Sequence, residues 1–232
     1  MSGAVRAALC LCCLFLLLNV AITPVAASVE AEIVYRRTGS DGAKRIALTF
    51  DDGPHPRYTP EILDILAEFG VKATFFAVGS NASYYPHLIL REEQEGHEIA
   101  NHTYHHYHTN KTSAAALQRD IEACAELLLR QTGRRPTLFR PPEGVFNEEM
   151  KAFCAANGYT IVMWSIDTRD WAHTPPEQIV KNVREHARDG AIILMHDFIG
   201  KNSPTPAALR QIIPMLQELG FEFVTVSQLL QG

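Results

Sequence analysis

The feature that most constrains this chain is an alternation repeated along most of its length: a short apolar run, a polar turn, then an amphipathic stretch of helical period. The apolar runs fall at 45–50, 73–78, 97–100, 137–140, 159–166, 191–195 and 221–226. Between them, stop and start signals frame helices. Thr59-Pro60 reads as a cap followed by a first-turn proline for a helix over 60–69, which Gly70 stops. Further helices are expected over 86–95, from Ser113 to about residue 131 ahead of Gly133, and from Asn147 to Asn157-Gly158. Others follow Thr174-Pro175 and Thr205-Pro206, and a short one ends the chain. Runs this apolar, without strict alternation, are strands covered on both faces, which is the pattern of a parallel sheet with crossover helices. About seven such strands in roughly 190 residues suit an α/β fold of the small, distorted, incomplete (β/α) barrel kind rather than a closed eightfold one.

The first residues break the pattern. Arg6 precedes an apolar run over about 7–22, and Val25-Ala26-Ala27 offers small residues ahead of Ser28. This is the layout of an export signal cleaved near Ala27, so residues 1–27 are expected to be a signal peptide, or else an N-terminal anchor left uncleaved. Residues 28–44, polar and holding Gly39 and Gly42, read as a linker, and 45–232 as a single domain. Cys124 and Cys154 remain outside the signal, both in expected amphipathic helices where buried free thiols are common. A net charge of -5 gives no electrostatic footing for nucleic acid, and a membrane partner is expected only through an uncleaved N-terminus.

Chemistry gathers at the strand ends. Asp51 and Asp52 follow the first strand, ahead of Gly53 and Pro54, which force a turn. The segment from Asn101 to His108, holding four histidines, follows the third. Arg140 ends the fourth, before Pro141-Pro142-Glu143-Gly144. Asp167, Asp170 and Trp171 follow the fifth, and His196 and Asp197 the sixth. All lie at the C-terminal ends of strands, the face on which parallel barrels build active sites. Two adjacent carboxylates repel unless something nearby takes up their charge, and a cation would. Two imidazoles with one carboxylate form a three-ligand set for Zn²⁺ or a similar divalent ion. Asp52 can supply the carboxylate, while His102 with His106, His102 with His105, or His105 with His108 can supply the imidazoles.

In order, Thr49-Phe50-Asp51-Asp52-Gly53-Pro54, His102-Thr103-Tyr104-His105-His106, Arg140-Pro141-Pro142-Glu143-Gly144, Asp167-Thr168-Arg169-Asp170-Trp171 and Leu194-Met195-His196 resemble the five motifs of the polysaccharide deacetylases, the NodB-homology proteins of carbohydrate esterase family 4. The resemblance runs from about residue 45 to 230. It implies metal-dependent removal of acetyl groups from sugars, with Zn²⁺, Co²⁺ or another divalent ion on Asp52, His102 and His106. It also implies Asp51 as catalytic base with Arg140 as its charge partner, His196 as general acid, and Asp170 as the residue that orients and tunes His196. The backbone N–H of Glu143 would serve the oxyanion, and Trp171, Leu194 and Pro142 would wall the acetate pocket.

One departure stands out. Many family members carry an aromatic residue where this chain has Glu143. The backbone donor survives any side chain, but a carboxylate now stands beside the sugar cleft. The expected activity is N-deacetylation of an amino-sugar polysaccharide, with cell-wall peptidoglycan favoured by the export signal. The enzyme would be secreted or associated with the cell envelope, and its partner would be the acetylated glycan. Chitin oligomers, other O- or N-acetylated glycans, hydrolysis of a related C–N bond, and a non-catalytic glycan binder on the same scaffold are the alternatives.

Overall fold

The structure, a computed structural model, describes residues 30–232; the expected signal over 1–27 lies outside the described residues. Strands and helices alternate as β1 (Ile33–Val34), β2 (Arg45–Asp51), α1 (Tyr58–Glu68), β3 (Thr74–Ala77), α2 (Gly79–Tyr84), α3 (Pro86–Gln94), β4 (Glu98–Asn101) and α4 (Ala114–Thr132). The chain continues through β5 (Leu138–Phe139), α5 (Glu148–Ala156), β6 (Thr160–Val162), β7 (Ile166–Asp167), α6 (Pro176–His186), β8 (Ala191–His196), α7 (Thr205–Glu218), β9 (Glu222–Phe223) and α8 (Val226–Gln231). The strands form one parallel sheet in the order β1-β6-β5-β4-β3-β2-β8-β7, curled into an open half-barrel, and β9 pairs with the start of β2.

Strand β2 shows how the sequence divides the interior. Side chains alternate across a strand. Ile46, Leu48 and Phe50 therefore face outward and pack with Ile62 and Leu66 of α1 and Leu209 and Ile213 of α7. Ala47 faces the concave side with Phe76, Ala100 and Ile192, where Val226 and Leu229 of α8 also pack. Thr49 and Asp51 follow on that same inner side and meet Arg140, the largest fully buried side chain.

Several expectations change. Residues 28–44 are not simply a linker: Ile33 and Val34 pair with Ile161 and Val162, and Val34 is buried. Two residues are too short a run to read as a strand, yet they cap an otherwise open sheet edge. The run 159–166 is two strands rather than one. β6 pairs with β5 and β1, whereas β7 pairs with β8 at the far end of the sheet. The chain thus crosses the gap where the barrel fails to close. Around that break the carbonyls of Val162 and Met163 accept from Arg140 instead of a strand.

Helix α2 occupies residues that carry no cap or apolar signal; no side chain caps it, and Gly79 opens it against Tyr104. Thr59 does not cap α1, which begins a residue earlier; its hydroxyl accepts from the His55 N–H and donates to Asp197 Oδ2. Ser113 and Asn147 do cap their helices, accepting from Ala116 and Met150. Cys124 and Cys154 are free and buried, and burial pushes both thiols up to about 12.

Candidate active site

The acidic turn that leaves β2 carries its two carboxylates in different directions. Asp51, still in the strand and 3% exposed, is the register partner of Phe76 on one side and His196 on the other. Its Oδ1 accepts from Arg140 Nη1 at 2.7 Å, and its Oδ2 lies 3.8 Å from His102 Nε2. Asp52, just beyond, adopts a left-handed backbone with φ 76°, which swings its side chain away from that of Asp51. Gly53 is required here for space rather than for positive φ. A Cβ on it would stand 2.0 Å from Asp197 Oδ2.

Arg140 is held on all sides. Its Nη1 also donates to Thr49 Oγ1 at 2.8 Å, Nε to Val162 O and Nη2 to Met163 O, each at 3.0 Å. The guanidinium lies 4.0 Å from the centroid of the Phe76 ring. Burial lowers its pKa and Asp51 opposes that shift. A guanidinium so fixed presents Asp51 in one orientation.

Asp52, His102 and His106 each offer a ligand atom, and these atoms lie within 4.8 Å of one another. Asp52 Oδ1 is 3.4 Å from His102 Nε2 and 3.2 Å from His106 Nε2. His102 Nδ1 lies 2.7 Å from the Arg140 carbonyl, which can only accept, so Nδ1 carries the proton and Nε2 turns a lone pair inward. Buried Asp52 Oδ1 has no hydrogen-bond partner by normal geometry. An unpartnered buried oxygen facing two ring nitrogens is a donor set that fits a divalent cation. Burial would raise the Asp52 pKa, but the imidazoles of His102 and His106 close beside it outweigh burial and hold the carboxyl well below the usual range. His106 is raised: burial lowers it, and the neighbouring Asp52 carboxylate more than compensates.

The four-residue histidine pair is the one brought together. His105 turns away, its Nδ1 2.6 Å from Asp120 Oδ1, and His108 Nδ1 lies 2.9 Å from Glu143 Oε1. The pair is not on a helix. Thr103 and His106 have left-handed backbones, and the His106 N–H donates to Thr103 Oγ1 at 3.0 Å.

Across the mouth, His196 Nδ1 is 2.8 Å from Asp170 Oδ1, and the His196 backbone N–H donates to Asp170 Oδ2 at 2.7 Å. Asp170 is fully buried and also accepts from Thr205 Oγ1 and the Trp171 N–H. Burial alone would lower the imidazole pKa; Asp170, with Asp51 and Asp52 beyond it, raises it to about 9.

A cavity of about 360 Å³ joins these groups. Asp51, Asp52 and the histidines line it together with Trp171, Leu194 and Glu143. Arg140 and Asp170 stand behind it. Pro142, expected on its wall, is buried and does not line it; it opens the 3-10 turn that sets Glu143 at φ 59°. Trp164 and Gly144 line it unexpectedly, and a Cβ on Gly144 would approach the Trp164 ring to 2.6 Å. Trp164 escaped notice because it sits inside an apolar run that reads as strand.

Sequence reasoning also left Asp197 and Glu92 without a role. Both are buried with one oxygen unpartnered. Burial pushes Asp197 up to about 7 and Glu92 well above the usual carboxylate range. Asp197 carries only the strand-end position it shares with His196, and no sequence signal separates Glu92 from surface acids.

A hydrolytic centre of metal-assisted type is what this mouth of a parallel half-barrel is equipped to be. The comparisons narrow that class. The model for polysaccharide deacetylases matches residues 38–162, and the chain belongs to that family. It is 42% identical over 190 residues to a peptidoglycan-N-acetylglucosamine deacetylase of Bacillus cereus, spanning 81% of this chain and 89% of that protein. It is 40% identical over 186 residues to PgdA, the peptidoglycan-N-acetylglucosamine deacetylase of Listeria monocytogenes, but spans only 39% of that protein's length against 80% of its own. The solved structure of the Bc1960 peptidoglycan N-acetylglucosamine deacetylase superposes with a TM-score of 0.81 at 37% identity, covering 85% of this chain and 92% of the other.

Proposed function

We propose that this protein is an exported, metal-dependent deacetylase that removes N-acetyl groups from amino sugars of cell-wall peptidoglycan. The observation that carries the reading is the division of labour in the acidic turn: Asp52 faces two imidazole nitrogens, while Asp51 keeps one oxygen on Arg140 and the other free toward the cavity. The names of the relatives favour peptidoglycan over chitin oligomers. The Arg6 and apolar N-terminal pattern supports export to the envelope or beyond.

Asp52, His102 and His106 would hold the ion, with Zn²⁺ or Co²⁺ suited to two nitrogens and one oxygen. Such an ion supplies a Lewis acid that polarises the acetyl carbonyl and acidifies the attacking water. Asp51 Oδ2 takes the proton of that water, and Arg140 fixes the carboxylate through Oδ1. The Glu143 N–H, presented by the 3-10 turn, donates to the oxyanion. His196, protonated under the influence of Asp170, gives its proton to the departing amine, which leaves poorly without one. Leu194 and Trp171 wall the acetyl methyl, and Trp164 adds to that wall.

The test is acetate release from a panel of acetylated peptidoglycan, chitin oligomers and acetylated xylan, with and without chelation. Release from peptidoglycan that stops on chelation and returns with Zn²⁺ or Co²⁺ is expected. Saturable binding with no release on any glycan would overturn the reading.

A further inference from the structure

The lining of the cavity holds three carboxylates, and they are not equally committed. Asp51 is bound to Arg140, and Asp52 faces His102 and His106. Glu143 has one oxygen 2.9 Å from His108 Nδ1 and half of its side chain exposed, so its second oxygen is free for whatever enters. No lysine or arginine lines the cavity.

The position of Glu143 is built, not incidental. Its backbone is left-handed, at φ 59° and ψ 10°, a conformation uncommon for glutamate. The turn is closed by the Gly144 and Val145 N–H groups, which donate to the Pro141 and Pro142 carbonyls. Thr109 Oγ1 donates to the Val145 carbonyl at 2.8 Å, so the histidine loop and the Glu143 loop are joined both here and through His108. Two ties between these loops hold a carboxylate at the mouth beside the metal-ligating histidines.

We propose that Glu143 is a specificity-determining residue that sets the charge allowed on the sugar flanking the scissile acetamide: it favours a flanking sugar bearing a free ammonium and disfavours one bearing a carboxylate. The inference rests on the deacetylase reading. Its chemical consequence is a preference for chains already partly deacetylated, since each removed acetyl group leaves an ammonium on the product sugar. Unit charges separated by about 7 Å at a wet protein surface interact weakly. Exchanging a flanking cation for an anion doubles the effect, giving a discrimination of roughly tenfold.

The experiment uses three tetrasaccharides that present the same N-acetylglucosamine beside an acetylated, a free-amine or a carboxylate-bearing sugar. kcat/KM is measured for the metal-loaded wild type and Glu143→Gln at pH 7, where most of the sugar amine is protonated, at low and high salt. The wild type should prefer the amine-flanked over the carboxylate-flanked substrate by roughly tenfold at low salt, and the preference should shrink as salt screens it. Glu143→Gln, nearly isosteric, should bring the two within about twofold whatever its absolute rate. A preference that survives in Glu143→Gln, or that ignores salt, overturns the inference. Absence of acetate from all three with wild type overturns the deacetylase reading instead. Calorimetric affinities of the amine- and carboxylate-bearing oligosaccharides for wild type and Glu143→Gln then decide the role of Glu143 separately.

Discussion

Asp170→Asn isolates what the buried carboxylate does for His196. In the native site the imidazole is pushed up from an ordinary 6.5 to about 9, with burial working against the shift and Asp170 working for it from 2.8 Å. Remove the charge and only the more distant Asp51 and Asp52 still oppose burial, so the imidazole should fall to its ordinary value or below. A drop of that size is worth about 3.4 kcal/mol between the two protonation states. A general acid must begin protonated, so its pKa marks the alkaline limb of the pH–rate profile. At pH 8 about nine-tenths of a group titrating near 9 is protonated, against about 3% of one titrating near 6.5. Acetate release under kcat/KM conditions should therefore fall roughly 30-fold at pH 8 from protonation alone. The alkaline limb should move from near 9 to 6.5 or lower, and part of the activity should return at pH 6. Stability follows the same sign. A raised histidine pKa stabilises the fold fully below about 6.5, and that contribution is lost as pH climbs through 9, so wild type and variant should converge at high pH. An alkaline limb that stays in place in Asp170→Asn, with Thr205 and the Trp171 N–H still gripping the amide, would refute the reasoning.

Three further outcomes are expected. Asp51→Asn should keep its bound metal, read by elemental analysis, yet lose at least about a hundredfold in rate, whereas Asp52→Ala should lose metal and activity together. Arg140→Met strands the Asp51 carboxylate in a buried site and should cost about 3–5 kcal/mol in chemical denaturation; Arg140→Met combined with Asp51→Leu should recover most of it. Asp197, raised to about 7, destabilises the fold increasingly as pH rises from its unfolded value near 4 up to 7. Asp197→Asn should therefore gain on wild type by up to about 4 kcal/mol between pH 4 and pH 8 in denaturant midpoints, and an unchanging gap would remove Asp197 from the pH dependence.

Much of the fold was legible because its strands are uniformly apolar and its long helices carry caps that work, as at Ser113 and Asn147. What escaped has a common physical cause, namely that tertiary pairing supplied what local sequence lacked. Ile33 and Val34 are a strand only because β6 offers an open edge. The break at Trp164 exists because Arg140 takes the carbonyls of Val162 and Met163, a demand made by a residue more than 20 positions away. Helix α2 has no cap of its own, but the Asn81 side chain donates to the Asp52 carbonyl at 2.7 Å and ties the helix to the acidic turn.

The site divides along the same line. Its reacting groups all stand at or just beyond strand ends, so the alternating pattern places them on one face. The choice among histidine pairs was not open to helical spacing, because the 102–106 segment is a loop with two left-handed residues. What selects His102 is a backbone carbonyl on Nδ1, and what removes His105 is a buried Asp120. Neither partner lies within ten residues of the histidine it fixes. Side-chain chemistry could thus be read from order along the chain, but its aim could not, because each functional group is steered by a residue from another element. Asp197 is the extreme case. It directly follows His196 in sequence, yet it turns inward against the space left by Gly53, where an acid is stable only if it keeps its proton or finds a partner.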